Sequence, residues 1–243
     1  MLGPDAAPIA PFKSKRFTEN TLALIHDLPE IDLLLLSHDH YDHLDLASMK
    51  KLIPKTKEYF VAFGCGRHLE SWGVDSSIIK EFDWWDHSSF EGIEITFTSS
   101  RHFSGRGLQD RAKSLWGGWA FKTHKENIYF SGDGGYGNHF KEVGERLGPF
   151  DFGFMESGQY NKLWHLIHLY PEEAIQAAID ARVKKVKPVH WAGFALAQHT
   201  WTDPIERFIE AADKADIDHI SPSPGEIFQC DSHISEKWWQ KYC

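Results

Sequence analysis

The sequence predicts an α/β chain of layered sheets with helices on the outside, and two observations carry that prediction. Short apolar runs of strand length are bounded by polar turns, and through the second half they alternate with helix-length amphipathic segments. No repeat, low-complexity tract or Gly/Ser linker divides the 243 residues, so residues 1–243 read as one domain, long enough to bury a substantial core.

The elements follow in order. Thr18 to Leu28 is expected to form a short helix with Thr18 as N-cap and an apolar stripe through Leu22, Leu24 and Ile25. Asp32 to Leu36 reads as a buried strand, Leu44 to Ile53 as a helix stopped by Pro54, and Tyr59 to Phe63 as a strand. Further strands are expected at Ile78 to Phe82 and at Ile93 to Thr98, where Ile93, Ile95 and Phe97 alternate with polar residues. Gly118 to Phe121 and Ile128 to Phe130 form a pair across a polar turn. Phe140 to Leu147 is helical, Phe152 to Met155 a strand, and Pro171 to Arg182 a helix with proline in its first turn. Val186 to Val189, a helix from Pro204 to Lys214 and a last strand near Ile227 complete the series.

Composition excludes several classes of function. A formal charge of -9 disfavours nucleic acid, whose phosphates are held by Lys and Arg, and disfavours a basic patch against anionic lipid. Cys65, Cys230 and Cys243 are too few and too scattered for a disulfide framework, which makes a reduced, cytoplasmic setting the expectation. Met1 to Phe17 contains Pro4, Pro8 and Pro11 but no continuous apolar core, so no secretory signal is expected there. The aliphatic run Ile31 to Leu36 is interrupted by Asp32 and is far too short to span a bilayer. What stands out is 15 histidines, the commonest metal ligand.

Their placement is informative. After the strand ending at Leu36 comes Ser37-His38-Asp39-His40-Tyr41-Asp42-His43-Leu44-Asp45. In extended chain His38 and His40 point to one side, while Asp42 and His43 follow where the chain turns into a helix and approach from another direction. Imidazole and carboxylate at a strand end suit two adjacent divalent cations with open coordination positions. A solvated loop that happens to be rich in histidine is the bland alternative. Three more candidates sit just past apolar strands: His102, Asp133 within Ser131-Gly132-Asp133-Gly134-Gly135, and His190. Each alone would pass for a surface or core residue; together with the first run they converge on one edge of a layered fold.

Gly132-Asp133-Gly134-Gly135-Tyr136-Gly137 also fits the glycine pattern of a dinucleotide-binding turn. That motif normally follows the first strand of its unit, whereas this one lies past the middle of the chain, and only Glu156 offers a rough match to its acidic partner. We read the glycines instead as a tight turn that lets Asp133 reach a metal.

His-x-His-x-Asp-His with later His102, Asp133 and His190 resembles the metallo-β-lactamase superfamily. Within it, the N-acylphosphatidylethanolamine-hydrolysing phospholipase D family is the closer match. That match rests on Leu36 to Asp45, Asp83-Trp84-Trp85, Leu115-Trp116-Gly117, Gly132 to Tyr136, Gly148 to Asp151, Pro171 to Ala174 and His190 to Ala197. The resemblance implies an αββα sandwich and two divalent cations, taken as zinc. It assigns His38, His40 and His102 to one cation and Asp42, His43 and His190 to the other, with Asp133 bridging. Two departures matter. Only 37 residues precede His38, where the superfamily carries several strands, so either the N-terminal strands are shortened, which would leave a sheet edge exposed, or one sheet is completed by something else. Gly134 stands where the family tends to carry Thr.

By the same resemblance the substrate is a small molecule or a phosphodiester in a lipid headgroup, with peripheral membrane contact to reach it, cleaved by a metal-bound hydroxide. Asp42 would ligate and orient the nucleophile, and His168 matches a histidine that the family places near the substrate as acid or phosphate contact. Trp84, Trp85, Trp116, Trp119, Trp164 and Trp191 could shape an acyl groove, although filling the core is the simpler reading for most of them. A lactonase acting on sugar-phosphate lactones and a non-catalytic metal-binding scaffold are the alternatives.

Overall fold

The computed structural model describes residues 1–7 and 14–243; Pro8 and Pro11 of the opening segment lie outside the described residues. Two sheets face each other. The first has three parallel strands in the order β1 (Ile31–Leu36), β2 (Thr56–Ala62) and β3 (Ile79–Phe82). Its crossovers are α1 (Leu46–Leu52), capped by the Asp45 carboxylate accepting from the Ser48 amide, and α2 (Gly66–Ser71).

The second sheet has seven strands and changes character half-way. β4 (His87–Phe90), β5 (Ile93–Ser99), β6 (Gly117–Lys122) and β7 (Asn127–Phe130) form an antiparallel meander. β8 (Phe152–Glu156), β9 (Lys185–Val189) and β10 (Asp218–His219) then add in parallel, each reached through a helix: α3 (His139–Arg146), α4 (Pro171–Asp180) and α5 (Asp203–Lys214). Helices therefore cover the outer face of this half, the layering that the alternating pattern predicts.

Two apolar clusters hold the layers together. Tyr59, Phe60, Val61 and Phe82 of the first sheet pack with Ile95, Phe97 and Trp119 of the second, so the sheets share one core. Phe82 and Phe97 both lie against Trp119, at ring-centroid distances of 5.3 and 4.7 Å. Behind the second sheet, Tyr129, Phe150, Met155 and Val186 meet Phe140, Val143, Ala174, Ile175 and Phe208 of the helices. Backbone bonds tie the ends of the two sheets, Gly117 N–H donating to Ser37 O at 3.1 Å and Leu115 N–H to Phe63 O at 2.7 Å.

Several sequence expectations shift. The first helix is a 3-10 segment at Thr21–Asp27 that starts after Asn20, not Thr18, and Asn20 takes a left-handed φ of 59°. β1 is only partly buried, because it is the edge strand of a three-stranded sheet. No strand forms near Ile227, which is 94% exposed; the last strand is the two-residue β10. Both α2 and β4 escape the sequence reading, since Gly66 opens one and the other is the largely polar His-Ser-Ser-Phe. Of the tryptophans, Trp119 is core, while Trp84, Trp116 and Trp164 stay half-buried with their indole N–H groups on backbone carbonyls. No described helix is long and apolar enough to cross a membrane.

Candidate metal centre

The candidate ligands predicted at the strand ends come together at one place. His38, His40, Asp42 and His43 follow β1 of the first sheet; His102, Asp133 and His190 follow β5, β7 and β9 of the second. The residues fall into two groups whose ligand atoms lie within 4.8 Å of one another: His38, His40 and His102, and Asp42, His43, Asp133 and His190. Each group draws on both sheets.

In the first group, His40 Nδ1 is 3.0 Å from His38 Nε2 and 3.1 Å from His102 Nε2. In the second, His43 Nε2 and His190 Nε2 are 3.1 Å apart, and Asp133 Oδ2 is 3.0 Å from the former and 3.3 Å from the latter. Asp42 Oδ2 lies 3.4 Å from His43 Nε2 and 3.2 Å from His190 Nε2. Asp133 Oδ2 also comes within 3.9 Å of His38 Nε2, which sets it between the groups. Metal–nitrogen bonds of about 2.0–2.1 Å in a tetrahedron separate their ligands by roughly 3.3 Å, so these spacings and the donor chemistry fit zinc-like cations.

The electrostatics divide the same way. Burial and the neighbouring His43, His40 and His102 hold His38 well below the ordinary imidazole range, and burial pushes His102 down to about 3. His43 goes the other way, to about 9: burial opposes its charge, but Asp133 and Asp42 outweigh it. His190 is raised for the same reason, and both carboxylates stay ionised against their burial through these two rings. The carboxylates of this group thus call for positive charge beside them.

Local sequence explains the placement. Gly132 has a φ of 63°, and a side chain there would overlap the Gly117 carbonyl, so only glycine makes the turn that presents Asp133. Gly134 and Gly135 likewise pack on protein backbone, at Arg101 and Leu166, and the dinucleotide reading falls away. At Gly134 a Cβ would already stand 3.2 Å from Arg101 N, with little room for threonine; Ser100 Oγ steadies the turn instead by donating to Asp133 O at 2.9 Å.

Three supporting residues went unassigned in the sequence. Asp39 is fully buried beneath the ligand loop, where its carboxylate accepts from Gly105 N–H at 2.8 Å and Ser114 Oγ at 3.0 Å, with His68 Nε2 at 3.3 Å. Arg106 donates to Asp39 O at 2.7 Å and to Leu44 O, pinning both ends of that loop. Glu156 ends β8, fully buried, with Oε1 3.2 Å from His168 Nδ1 and Oε2 accepting from Leu169 N–H at 2.8 Å. Apart from its place in the discarded dinucleotide pattern, no sequence signal marks it. His168 itself comes to the site, its ring 5.2 Å from His102 and 5.6 Å from His190 between centroids, and it forms a further group with His102 and Asp133.

Residues 3–191 match the model of the β-lactamase superfamily domain. The chain belongs to the metallo-β-lactamase superfamily. It is 40% identical over 218 residues to an uncharacterized protein of Mycobacterium tuberculosis, covering 88% of this chain and 58% of that one. It is 30% identical over 223 residues to N-acyl-phosphatidylethanolamine-hydrolyzing phospholipase D 1 of Caenorhabditis elegans, covering 84% of this chain and 62% of that one. The chain thus spans less than two thirds of the length of either relative. Among solved structures, a metallo hydrolase from the archaeon Ignicoccus hospitalis superposes with a TM-score of 0.61 at 18% identity, over 82% of this chain and 81% of that one. This superfamily member has the metallo-β-lactamase fold.

Proposed function

We propose that the chain is a dinuclear, zinc-dependent phosphodiesterase that acts on N-acylphosphatidylethanolamine-like lipids. The observation that carries the two-metal reading is the pair of ligand groups meeting at Asp133 Oδ2, the geometry of a shared carboxylate. His38, His40 and His102 would hold one cation and Asp42, His43 and His190 the other, with Asp133 bridging. Two such cations, when bound, supply an acidified water and neutralise charge on a phosphoryl oxygen.

The protein's own groups do the rest. Asp42 lies against His43 and His190 and would orient the attacking water. His168 has Nδ1 turned to the Glu156 carboxylate, so its proton sits there and Nε2 is left to take or give one at the substrate. Its ring stacks against His190 with an interplanar angle of 9°, which limits how far it can swing.

The lipid part of the proposal draws support from the C. elegans relative and from the loops around the site. Leu163 and Leu166, 87% and 60% exposed, stand on the loop whose Ile167 carbonyl faces His102 Nδ1. Leu108, also exposed, stands on the loop that braces Asp39 through Gly105. Apolar side chains flanking a charged centre suit an acyl chain beside a phosphate and peripheral contact with the membrane that supplies it. The test is a hydrolysis panel on zinc-loaded protein: bis(p-nitrophenyl) phosphate, an N-acylated phosphatidylethanolamine, a lactone and a thioester. The phosphodiesters should be cleaved fastest. Faster lactone opening would replace this reading with a lactonase, and two bound metals without turnover on any ester would leave a scaffold.

A further inference from the structure

We propose that Glu156 is a positioning residue shared by two imidazoles, one buried oxygen holding the Nδ1 side of both His190 and His168. The inference rests on the metal-centre reading above and extends it to the groups that aim the ligands.

Glu156 is the last residue of β8 and pairs in register with Val189, the last residue of β9. That pairing sets its side chain beside His190, the next residue along β9's exit. Its Oε1 lies 3.2 Å from His168 Nδ1 and 3.5 Å from His190 Nδ1. Backbone donors keep the carboxylate in place: Leu169 N–H reaches Oε2 at 2.8 Å and Gly158 N–H reaches Oε1 at 3.4 Å. The two rings lie nearly parallel, 5.6 Å apart at an angle of 9°, with both Nδ1 atoms turned to the one oxygen.

A fully buried carboxylate needs charge-assisted donors, and the rings supply them. In return, a carboxylate only accepts, so each ring facing it must carry its proton on Nδ1 and leave the Nε2 lone pair free. For His190 this is decisive. Its Nδ1 is buried and forms no hydrogen bond among the described residues, with Glu156 Oε1 standing 3.5 Å away, while its Nε2 faces Asp42 and Asp133 at 3.2 and 3.3 Å. Glu156 therefore sits behind the ring, outside the group of Asp42, His43, Asp133 and His190, and with His168 and His190 it makes a separate cluster of metal-competent atoms. For His168 the same oxygen sets the tautomer of the group that would exchange a proton with substrate. One side chain thus orients a metal ligand and a proton-transfer group together, so the two cannot be perturbed independently from this position.

Long-range proton–nitrogen NMR of protein labelled in histidine with nitrogen-15 reads the tautomers directly. We expect His168 to be protonated on Nδ1 in metal-free and zinc-loaded wild type, and His190 on Nδ1 in the loaded form. A His168 proton on Nε2 in wild type overturns the proposal without any variant. Glu156→Gln, which keeps the shape but removes the charge, should weaken one of the two zinc ions by about 10–100-fold in a chelator competition. It should also shift or broaden the His168 Nδ1–H signal. Unchanged zinc affinity together with an unchanged His168 signal in folded Glu156→Gln overturns it, and if that variant does not fold, the wild-type spectrum decides. Neither readout uses turnover. A protein that shows both effects yet cleaves no phosphodiester refutes the proposed reaction and leaves Glu156 in this role. Failure of wild type to bind zinc refutes the metal centre before any variant is compared.

Discussion

Replacing Asp39 should destabilise the whole molecule although the residue ligates nothing. Its carboxylate is buried and accepts from Gly105 N–H, Ser114 Oγ and His68, with Arg67 Nη2 at 3.6 Å. Burial alone would raise its pKa, yet the His68, Gly105 and Ser114 bonds outweigh it and hold the group at about 2, against 3.8 ordinarily. A difference of nearly two units at about 1.4 kcal/mol each is worth about 2–3 kcal/mol. Loss of one partner from a buried charged cluster costs about 3–5 kcal/mol by the mutational route. Asp39→Asn, which keeps one acceptor, should therefore lose about 2–3 kcal/mol and Asp39→Ala about 3–5 kcal/mol. Urea unfolding of metal-free protein at pH 7 measures both. A depressed carboxyl contributes fully above its unfolded pKa and loses that contribution only as pH falls toward its folded one, so the differences should be the same at pH 7 and pH 5. Losses below about 0.5 kcal/mol in both variants, the range of ordinary surface changes, would refute the argument that this carboxylate braces the ligand loop.

Elemental analysis of His190→Ala should show one of two metals lost, chiefly from the group built on Asp42 and His43; unchanged content removes His190 from that group. His43, held at about 9, must give up its proton to bind a cation, so affinity at its site should climb as pH rises toward 9, and a flat affinity between pH 6.5 and 8.5 would contradict this. The same raised pKa stabilises the metal-free fold fully below the ordinary imidazole value and less as pH passes through 9, which thermal melts across that range would register. Asp133→Asn should cut phosphodiester cleavage by orders of magnitude, and His168→Ala by roughly a hundredfold to ten-thousandfold, the scale of one acid–base group, both read as kcat/KM on a lipid substrate. Gly158→Ala should disturb the His190 site from outside it, because a methyl group there would overlap the His190 carbonyl; zinc affinity equal to wild type would show that the strand end yields instead.

The sequence revealed the candidate ligands better than the residues that support them, and the reason is physical. A ligand set recurs at strand ends in a few residue types, so His38 to His43, His102, Asp133 and His190 stand out against the strands that carry them. Asp39 and Glu156 are single acids whose partners lie far along the chain, Ser114 and Gly105 for one and His168 for the other, and no local spacing encodes such pairings. Periodicity located most strands to within a few residues but failed where tertiary pairing overrides composition. The polar β4 forms because β5 offers it an edge, and the apolar Ile227 stays exposed because no strand lies beside it.

The split of the proposed ligands between the sheets, four from the first and three from the second, would tie metal occupancy to the cooperativity of unfolding. The three-stranded sheet is small and open along β1, and it is held to the larger sheet by one shared apolar cluster, a few backbone bonds between strand ends and the Asp39 and Arg106 contacts under the histidine-rich loop. A cation held by either group bolts the two sheets together, and opening the smaller one then carries the free energy of releasing the ion. Hydrogen exchange in β1 to β3 would approach the slow, global rate of the seven-stranded sheet with metal bound, and separate from it as a distinct, faster-opening unit when metal is removed.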